Sequence, residues 1–318
     1  MENKLSDLMG EGYGYGKVIL FGEHFVVYGL PGIASAISDY TVAKVEEGEN
    51  GLTLIDNRPA VDGYKKTKQG EISREFELIL NFMKIDVNKT PLKITLSGNL
   101  ECASGIGASA ALASSAARAL SKHFDLGLND DQINEVAYEG EKGSAGTPSG
   151  IDNTCSTYGG MLIFEKDLSG GPNKIQRITS SPLEIIMANT GITQETKEVV
   201  EDVKKEKDRD PEKFEKIFND YKKIFDEAVT SLEQGDTKKI GELMNRNQEL
   251  LRQITVSCPE IEEIISIAKT NGALGAKLTG TGRGGLVICL SPNKETSETI
   301  AKAIEEKGFA VLKTRIGF

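Results

Sequence analysis

The sequence predicts an α+β protein of two domains, on the strength of its length, the mixing of its hydrophobic periods and the place where they change. At 318 residues it exceeds the ~100–200 residues of a typical domain, so a pair of domains accounts for it better than one. Short β-rich runs alternate with amphipathic helical patterns through the first half. After residue 180 the pattern turns strongly helical before returning to strands at the carboxyl end. We therefore place the domains at 1–180 and 181–318.

Gly12-Tyr13-Gly14-Tyr15-Gly16 leads into a β-rich run at 17–21, and Gly22-Glu23-His24 makes a tight corner. Phe25-Val26-Val27-Tyr28 then reads as a second strand, closed by the Gly29-Leu30-Pro31-Gly32 turn. Strands are expected at 41–45, 52–55 and 92–96, with a helix carrying Phe76, Leu78, Ile79 and Phe82 between them and an exposed polar loop over 56–70. An alanine-rich helix follows, ending near His123. Asn129 and Asp130 open the next helix, whose apolar face carries Ile133, Val136 and Ala137. A strand at 161–164 and the Ser169-Gly170-Gly171-Pro172 turn close the first half.

The second half opens with a strand at 183–188. Pro211 suits the first turn of a long helix in which Phe214, Ile217, Phe218, Tyr221, Ile224, Phe225, Ala228, Val229 and Leu232 keep three-four spacing, a core-facing stripe. The charged run 204–210 is a solvated helix end. Further helices carry Ile240, Leu243 and Met244, then Ile261, Ile264 and Ile265. A glycine loop, a strand at 286–290, a helix at 297–307 and a strand at 310–314 complete the chain.

Composition narrows the function classes. A content of 38% hydrophobic and 27% charged residues is that of a soluble globular protein, and no apolar run approaches the ~18 residues that span a bilayer. Met1-Glu2-Asn3-Lys4 lacks the order of a signal peptide, so the expected location is cytoplasmic. Cys102, Cys155, Cys258 and Cys289 are scattered, with only His24 and His123 to help, which indicates neither zinc nor a disulfide framework. A net charge of −10 argues against nucleic acid and anionic membranes as partners. A small polyanion would need N–H groups, a Lys and a metal ion gathered locally. Nothing in the sequence decides between a monomer and a homodimer.

Ser104-Gly105-Ile106-Gly107-Ala108-Ser109-Ala110-Ala111 brings a glycine turn straight into the alanine-rich helix. The first N–H groups of a helix lack intrahelical partners, the macrodipole adds positive charge, and glycine lets an anion approach the main chain. The stretch reads as a phosphate cradle to which Ser109 adds a hydroxyl. No Lys followed by Ser or Thr closes it, so it is not a Walker loop. Alone, such a helix start is more often a packing device.

In the next helix, four-residue steps from Ile133 through Ala137 reach Glu141 and set it on the apolar stripe. Such a carboxylate either escapes to water at the helix end or meets a cation. Beside a phosphate site that cation is Mg²⁺, which takes one or two protein oxygens plus phosphate oxygens. Gly146-Thr147-Pro148-Ser149-Gly150-Ile151-Asp152-Asn153 fixes a corner from which Asp152 emerges, either aimed at a ligand or closing an Asx-turn. Lys277-Leu278-Thr279-Gly280-Thr281-Gly282-Arg283-Gly284-Gly285 satisfies G-x-G-x-x-G but runs into a strand, which excludes a dinucleotide fingerprint. It is a hairpin loop or a wall of a ligand cleft.

Lys17-Val18-Ile19-Leu20-Phe21-Gly22-Glu23-His24 with Val26-Val27-Tyr28-Gly29, the Gly146 to Asn153 corner and, more loosely, the 277–285 loop resemble the GHMP small-molecule kinases over nearly the whole chain. The resemblance implies a ribosomal protein S5 domain 2-like amino-terminal ATP-binding domain and a ferredoxin-like carboxyl-terminal domain, with ATP and substrate in the cleft between. It implies ATP-dependent phosphorylation of the primary hydroxyl of mevalonate. Phosphomevalonate, another branched hydroxy acid or a sugar are the other acceptors, and a non-catalytic ligand sensor is the reading of a different class.

Carried over by position, the resemblance puts Ser104, Gly105, Ile106, Gly107, Ala108 and Ser109 on the triphosphate of ATP, and Ser109 and Glu141 on Mg²⁺. Lys17 and Asp152 flank the substrate hydroxyl, Asp152 either taking its proton or holding it in line. Glu23, His24, Ser149, Thr196 and Thr281 lie on the substrate side. The chain departs from the family pattern at Tyr15, Glu101, Ala103, Ala108, Ala145 and Arg283. The Arg283 fork suits an anion, but solvent is the favoured reading.

Overall fold

The structure, a computed structural model, describes residues 11–103, 105–146 and 148–318, so Ser104 and Thr147 lie outside the described residues. Its contacts divide the chain into two compact units. One holds Ala36–Gly159 with the chain through Lys17; the other holds Val18–Ser35 with Gly160–Phe318. Strands β1 (Glu11–Phe21) and β2 (Gly32–Glu47) therefore contribute residues to both.

In the first unit β4 (Leu92–Gly98) pairs antiparallel with β2, from Thr41 opposite Gly98 to Glu47 opposite Leu92. On its other side β4 pairs parallel with β3 (Leu52–Asp56). Helices α1 (Tyr64–Phe82), α2 (Ala108–His123) and α3 (Asp130–Ala145) build the core, with Phe76, Ile79, Leu112, Ala116, Ile133 and Val136 buried with Ile94 and Leu96 of β4. α3 begins as its sequence predicts. Asn129 accepts the Gln132 N–H and the Gln132 side chain returns the bond, a full capping box.

Two glycines of β1 make room for α2. A Cβ on Gly12 would stand 2.2 Å from the Ser115 carbonyl oxygen, and one on Gly14 2.3 Å from that of Ala111. Only a glycine strand and an alanine-rich helix can approach so closely. The approach brings the start of α2 to Lys17, whose N–H donates to the Ile106 carbonyl at 2.8 Å.

The second unit contains an antiparallel sheet in the order β10 (Ala310–Ile316), β7 (Leu183–Asn189), β9 (Leu286–Ser291) and β8 (Gly275–Thr279). The start of β2 pairs with β5 (Met161–Glu165), which pairs with β6 (Lys174–Ile178). Helices α5 (Thr196–Arg209), α6 (Pro211–Gln234), α7 (Thr237–Gln253), α8 (Pro259–Thr270) and α9 (Lys294–Glu305) supply the rest. Both units mix helix and strand, the α+β class expected. No helix among the described residues is long and apolar enough to cross a membrane.

Several local expectations change. Phe25–Tyr28 is a 3₁₀ turn, not a strand: Gly29 closes it in the left-handed region at φ 77°, and Phe25 stacks on Tyr221 with centroids 4.0 Å apart. The Tyr221 hydroxyl donates to the Pro31 carbonyl at 2.7 Å, pinning the corner to α6. The 56–70 stretch is not an exposed loop throughout, because α1 begins at Tyr64 and Arg58 is buried. Asp152 lies in the first turn of a short helix, α4 (Ile151–Tyr158), which starts after Gly150 at φ 88°. β6 was unforeseen, its residues being mostly exposed and polar.

Candidate active site

In the first unit the glycine turn delivers what a phosphate cradle needs. Gly105 and Gly107 take φ of 89° and 73°, and Gly107 caps α2 without any side-chain bond, so the helix's first N–H groups stay open to an anion. Ile106 is buried as an anchor. Arg58 Nη1 donates to the Ala108 carbonyl at 3.3 Å while Nη2 pairs with Asp56 at 2.8 Å, bracing the turn from behind.

Lys17 Nζ lies 3.2 Å from Asp152 Oδ1. Burial pulls the Lys17 ammonium down, but the charge and hydrogen bond of Asp152 outweigh it and hold Lys17 above its ordinary value. Glu141 is 5% exposed, on the stripe that its spacing predicts. The Asn153 N–H donates to it, yet burial and then the charges of Asp152 and Glu75 raise its pKa well above the carboxylate range. Ser109 Oγ donates to Glu75 Oε1 at 2.6 Å and lies 2.9 Å from Ser144 Oγ. Burial pushes Glu75 up to about 6, against the pull of those hydroxyls.

A buried carboxylate with a raised pKa is neutralised either by a proton or by a cation that arrives beside it. Among the described residues no group of three or more His, Cys, Asp or Glu could hold a metal alone. Ser109 and Glu141 offer the one or two protein oxygens that Mg²⁺ would take beside phosphate oxygens and water.

The other sequence-predicted residues, except Ser149, meet in the second unit. His24 Nε2 donates to the Thr281 carbonyl at 2.6 Å, and Thr281 Oγ1 lies 2.7 Å from Thr196 Oγ1 at the start of α5. Burial lowers the His24 pKa despite that carbonyl, and nearby Arg283 adds to the effect. Glu23 is fully buried against Lys277, whose Nζ also donates to the Leu278 carbonyl at 2.7 Å. Burial raises Glu23 and lowers Lys277, each against the attraction of its partner. Ser149 is exposed, its hydroxyl accepting the Ile151 N–H at 3.3 Å. Arg283 is half-buried at the surface, where Nη1 pairs with Asp202 at 2.8 Å and Nε donates to the Thr255 carbonyl at 3.1 Å.

A mevalonate kinase of Pyrococcus abyssi is 32% identical over 320 residues, covering 94% of this chain and 93% of its own. Residues 73–160 match the family model for the GHMP kinases N terminal domain, and 228–310 that for the GHMP kinases C terminal region. The chain belongs to the GHMP kinases. The Leishmania major mevalonate kinase solved with R-mevalonate superposes on this GHMP kinase with a TM-score of 0.92 and 40% identity, covering 97% of this chain and 96% of that one. The Methanococcus jannaschii mevalonate kinase gives 0.80 at 27% identity, over 98% and 99%.

Several groups beside these residues of the GHMP kinase are not singled out by the sequence. Glu75 carries the signal that exposed Glu141, since it shares a helical face with Ile72, Phe76 and Ile79. Lys277 sits in a strand buried along its whole length, where a lone Lys is itself a flag. Ser144 and Arg58 gave no such signal.

The cradle makes a local prediction. A Cβ on Gly107 would meet Lys17 Cγ at 2.8 Å, besides the cost of about 1–2 kcal/mol for a side chain in the left-handed region. Gly107→Ala is expected to displace Lys17 and lower turnover roughly 10–100-fold. Steady-state kinetics with a melting curve check it; wild-type turnover in a folded variant would detach Lys17 from the cradle.

Proposed function

We propose that this GHMP kinase transfers the γ-phosphoryl group of ATP to the primary hydroxyl of (R)-mevalonate, giving 5-phosphomevalonate and ADP. The observation that carries the reading is the Lys17–Asp152 pair at 3.2 Å, attached through the Lys17 N–H to the turn that opens α2. An ammonium and a carboxylate fixed beside open helix N–H groups are what in-line phosphoryl transfer asks of a protein.

In this reading residues 104–109 would hold the triphosphate, and Ser109 and Glu141 would hold Mg²⁺, which would supply positive charge to the phosphate oxygens. Lys17 neutralises charge on the transferring group. Asp152 accepts or orients the hydroxyl proton as the oxygen bonds to phosphorus and the bond to the β-phosphate oxygen breaks. His24, Thr196 and Thr281, already joined to one another, are the second unit's substrate-side candidates, while Glu23, fully buried against Lys277, would act behind them rather than on the substrate. The mevalonate acceptor is supported by the names of the relatives and by the mevalonate bound in the L. major enzyme.

Pure protein with Mg-ATP and a panel of hydroxy acids, phosphomevalonate and sugars tests the assignment through ADP release. Release with mevalonate is expected. Release only with another acceptor moves the assignment within the family, and silence with every acceptor leaves a ligand sensor.

A further inference from the structure

The proposed chemistry leaves Glu75 unused, although few groups in the molecule are so unusually placed. It sits on α1, 1% exposed. Oε1 takes the Ser109 hydroxyl proton at 2.6 Å, while Oε2 is buried without a hydrogen-bond partner among the described residues. Ser109 belongs to α2 and Ser144 to α3, so three helices bring oxygens together here, and the Glu75 charge is felt at Glu141 of α3. The bond to Ser109 uses only one of the two carboxylate oxygens. Here one stays open, and burying it so is costly unless something arrives to use it.

The geometry at Ser109 says what arrives. A hydroxyl has one proton and two lone pairs, and a freely turning one can present its proton to a cation. With the proton committed to Glu75, Ser109 Oγ keeps a lone pair for an electrophile. We propose that Glu75 is the positioning residue of the Mg²⁺ site. It anchors the Ser109 proton inward so that Oγ can ligate the cation, and it keeps Oε2 as the acceptor for a metal-bound water. Mg²⁺ retains several waters, and those waters need acceptors. The inference rests on the Mg-ATP reading above and goes beyond it by adding a second buried carboxylate.

The test uses the full chain with ADP and Mn²⁺ as the probe, read by the electron paramagnetic resonance of free Mn²⁺, with calorimetry of ADP in the absence of metal. Glu75→Gln is expected to weaken Mn²⁺ roughly 10–100-fold and to raise the Mg²⁺ needed for half-maximal turnover by the same factor. Metal-free ADP affinity should stay within about twofold, because no nucleotide contact is lost. A merely structural Glu75 would shift the melting temperature and leave the metal titration alone. Wild-type Mn²⁺ affinity in folded Glu75→Gln overturns the proposal. If that variant does not fold, Glu75→Asp takes its place, with a loss nearer tenfold expected and wild-type affinity again decisive against it. Ser109→Ala and Glu141→Gln in the same titration separate the two levels. If neither weakens Mn²⁺, the metal reading itself falls; if both do and the Glu75 variant does not, only Glu75 is misassigned.

Discussion

Asp152→Asn is expected to lower turnover by about 10²–10⁴-fold while ADP affinity stays within a few-fold of wild type, the range for losing one proton-transfer or orienting carboxylate. Asn keeps the size of Asp and an oxygen that can accept from Lys17 Nζ, now 3.2 Å from Oδ1, so the backbone of α4 has no reason to move. What disappears is the negative charge. Burial already pulls the Lys17 ammonium down, and Asp152 is the main influence holding it up, so the Lys17 pKa falls in the variant. The charged Lys is then lost at a lower pH than in wild type. The alkaline limb of the pH–turnover profile should therefore move toward neutrality as well as fall in height. Steady-state kinetics across pH, with calorimetry for ADP, measure both. Near-normal turnover in the variant would remove Asp152 from any catalytic role.

What the sequence made legible was whatever depends on local period. Glu141 could be placed on the apolar stripe because helical spacing is a short-range rule, and the cap at Asn129 and the start at Pro211 were equally local. Glu75 obeys the same rule, yet the stripe was drawn through Leu78 and Phe82. Phe82 is in fact 47% exposed, and the buried face runs through Glu75, Phe76, Ile79 and Leu80. A small rotation of the stripe was enough to hide a carboxylate. At residues 25–28 the composition is that of a strand, and only the stacking of Phe25 on Tyr221, nearly two hundred residues away, overrides it.

The second-unit contacts are further still from local rules. His24 and Thr281 are 257 residues apart, and no periodicity connects them; the family resemblance named both, but their bond is a fact of tertiary structure. Arg283 shows the same limit. Its φ of 52° marks a place suited to glycine, and its guanidinium is spent on Asp202 and Thr255.

The Glu23–Lys277 pair carries the largest expected effect on stability. Both side chains are fully buried, and Glu23 Oε2 has no hydrogen-bond partner among the described residues. Removing one partner of such a pair typically costs about 3–5 kcal/mol, because the other is left as an unpaired buried charge. The two single changes should nevertheless differ. In Glu23→Gln the amine can shed its proton, its pKa being already lowered by burial, and it still donates to the Leu278 carbonyl at 2.7 Å. In Lys277→Met the carboxylate loses the charge that opposed its burial, so its folded pKa, already raised, climbs further. An acid whose pKa is higher folded than unfolded costs nothing below its unfolded value, and costs progressively more as pH rises toward the folded one. The Lys277→Met deficit should therefore be small in acid and grow above the ordinary carboxylate range, approaching ~3–5 kcal/mol near neutrality. Glu23→Gln should cost less at pH 7. The double variant Glu23→Gln with Lys277→Met, which buries no charge, should recover most of the loss of Lys277→Met alone. Chemical denaturation of the singles and the double from pH 5 to pH 8 measures the cycle. A pH-independent deficit in Lys277→Met, or a double no better than that single, would show that packing around Lys277 rather than its charge holds β8 to the Glu23 corner.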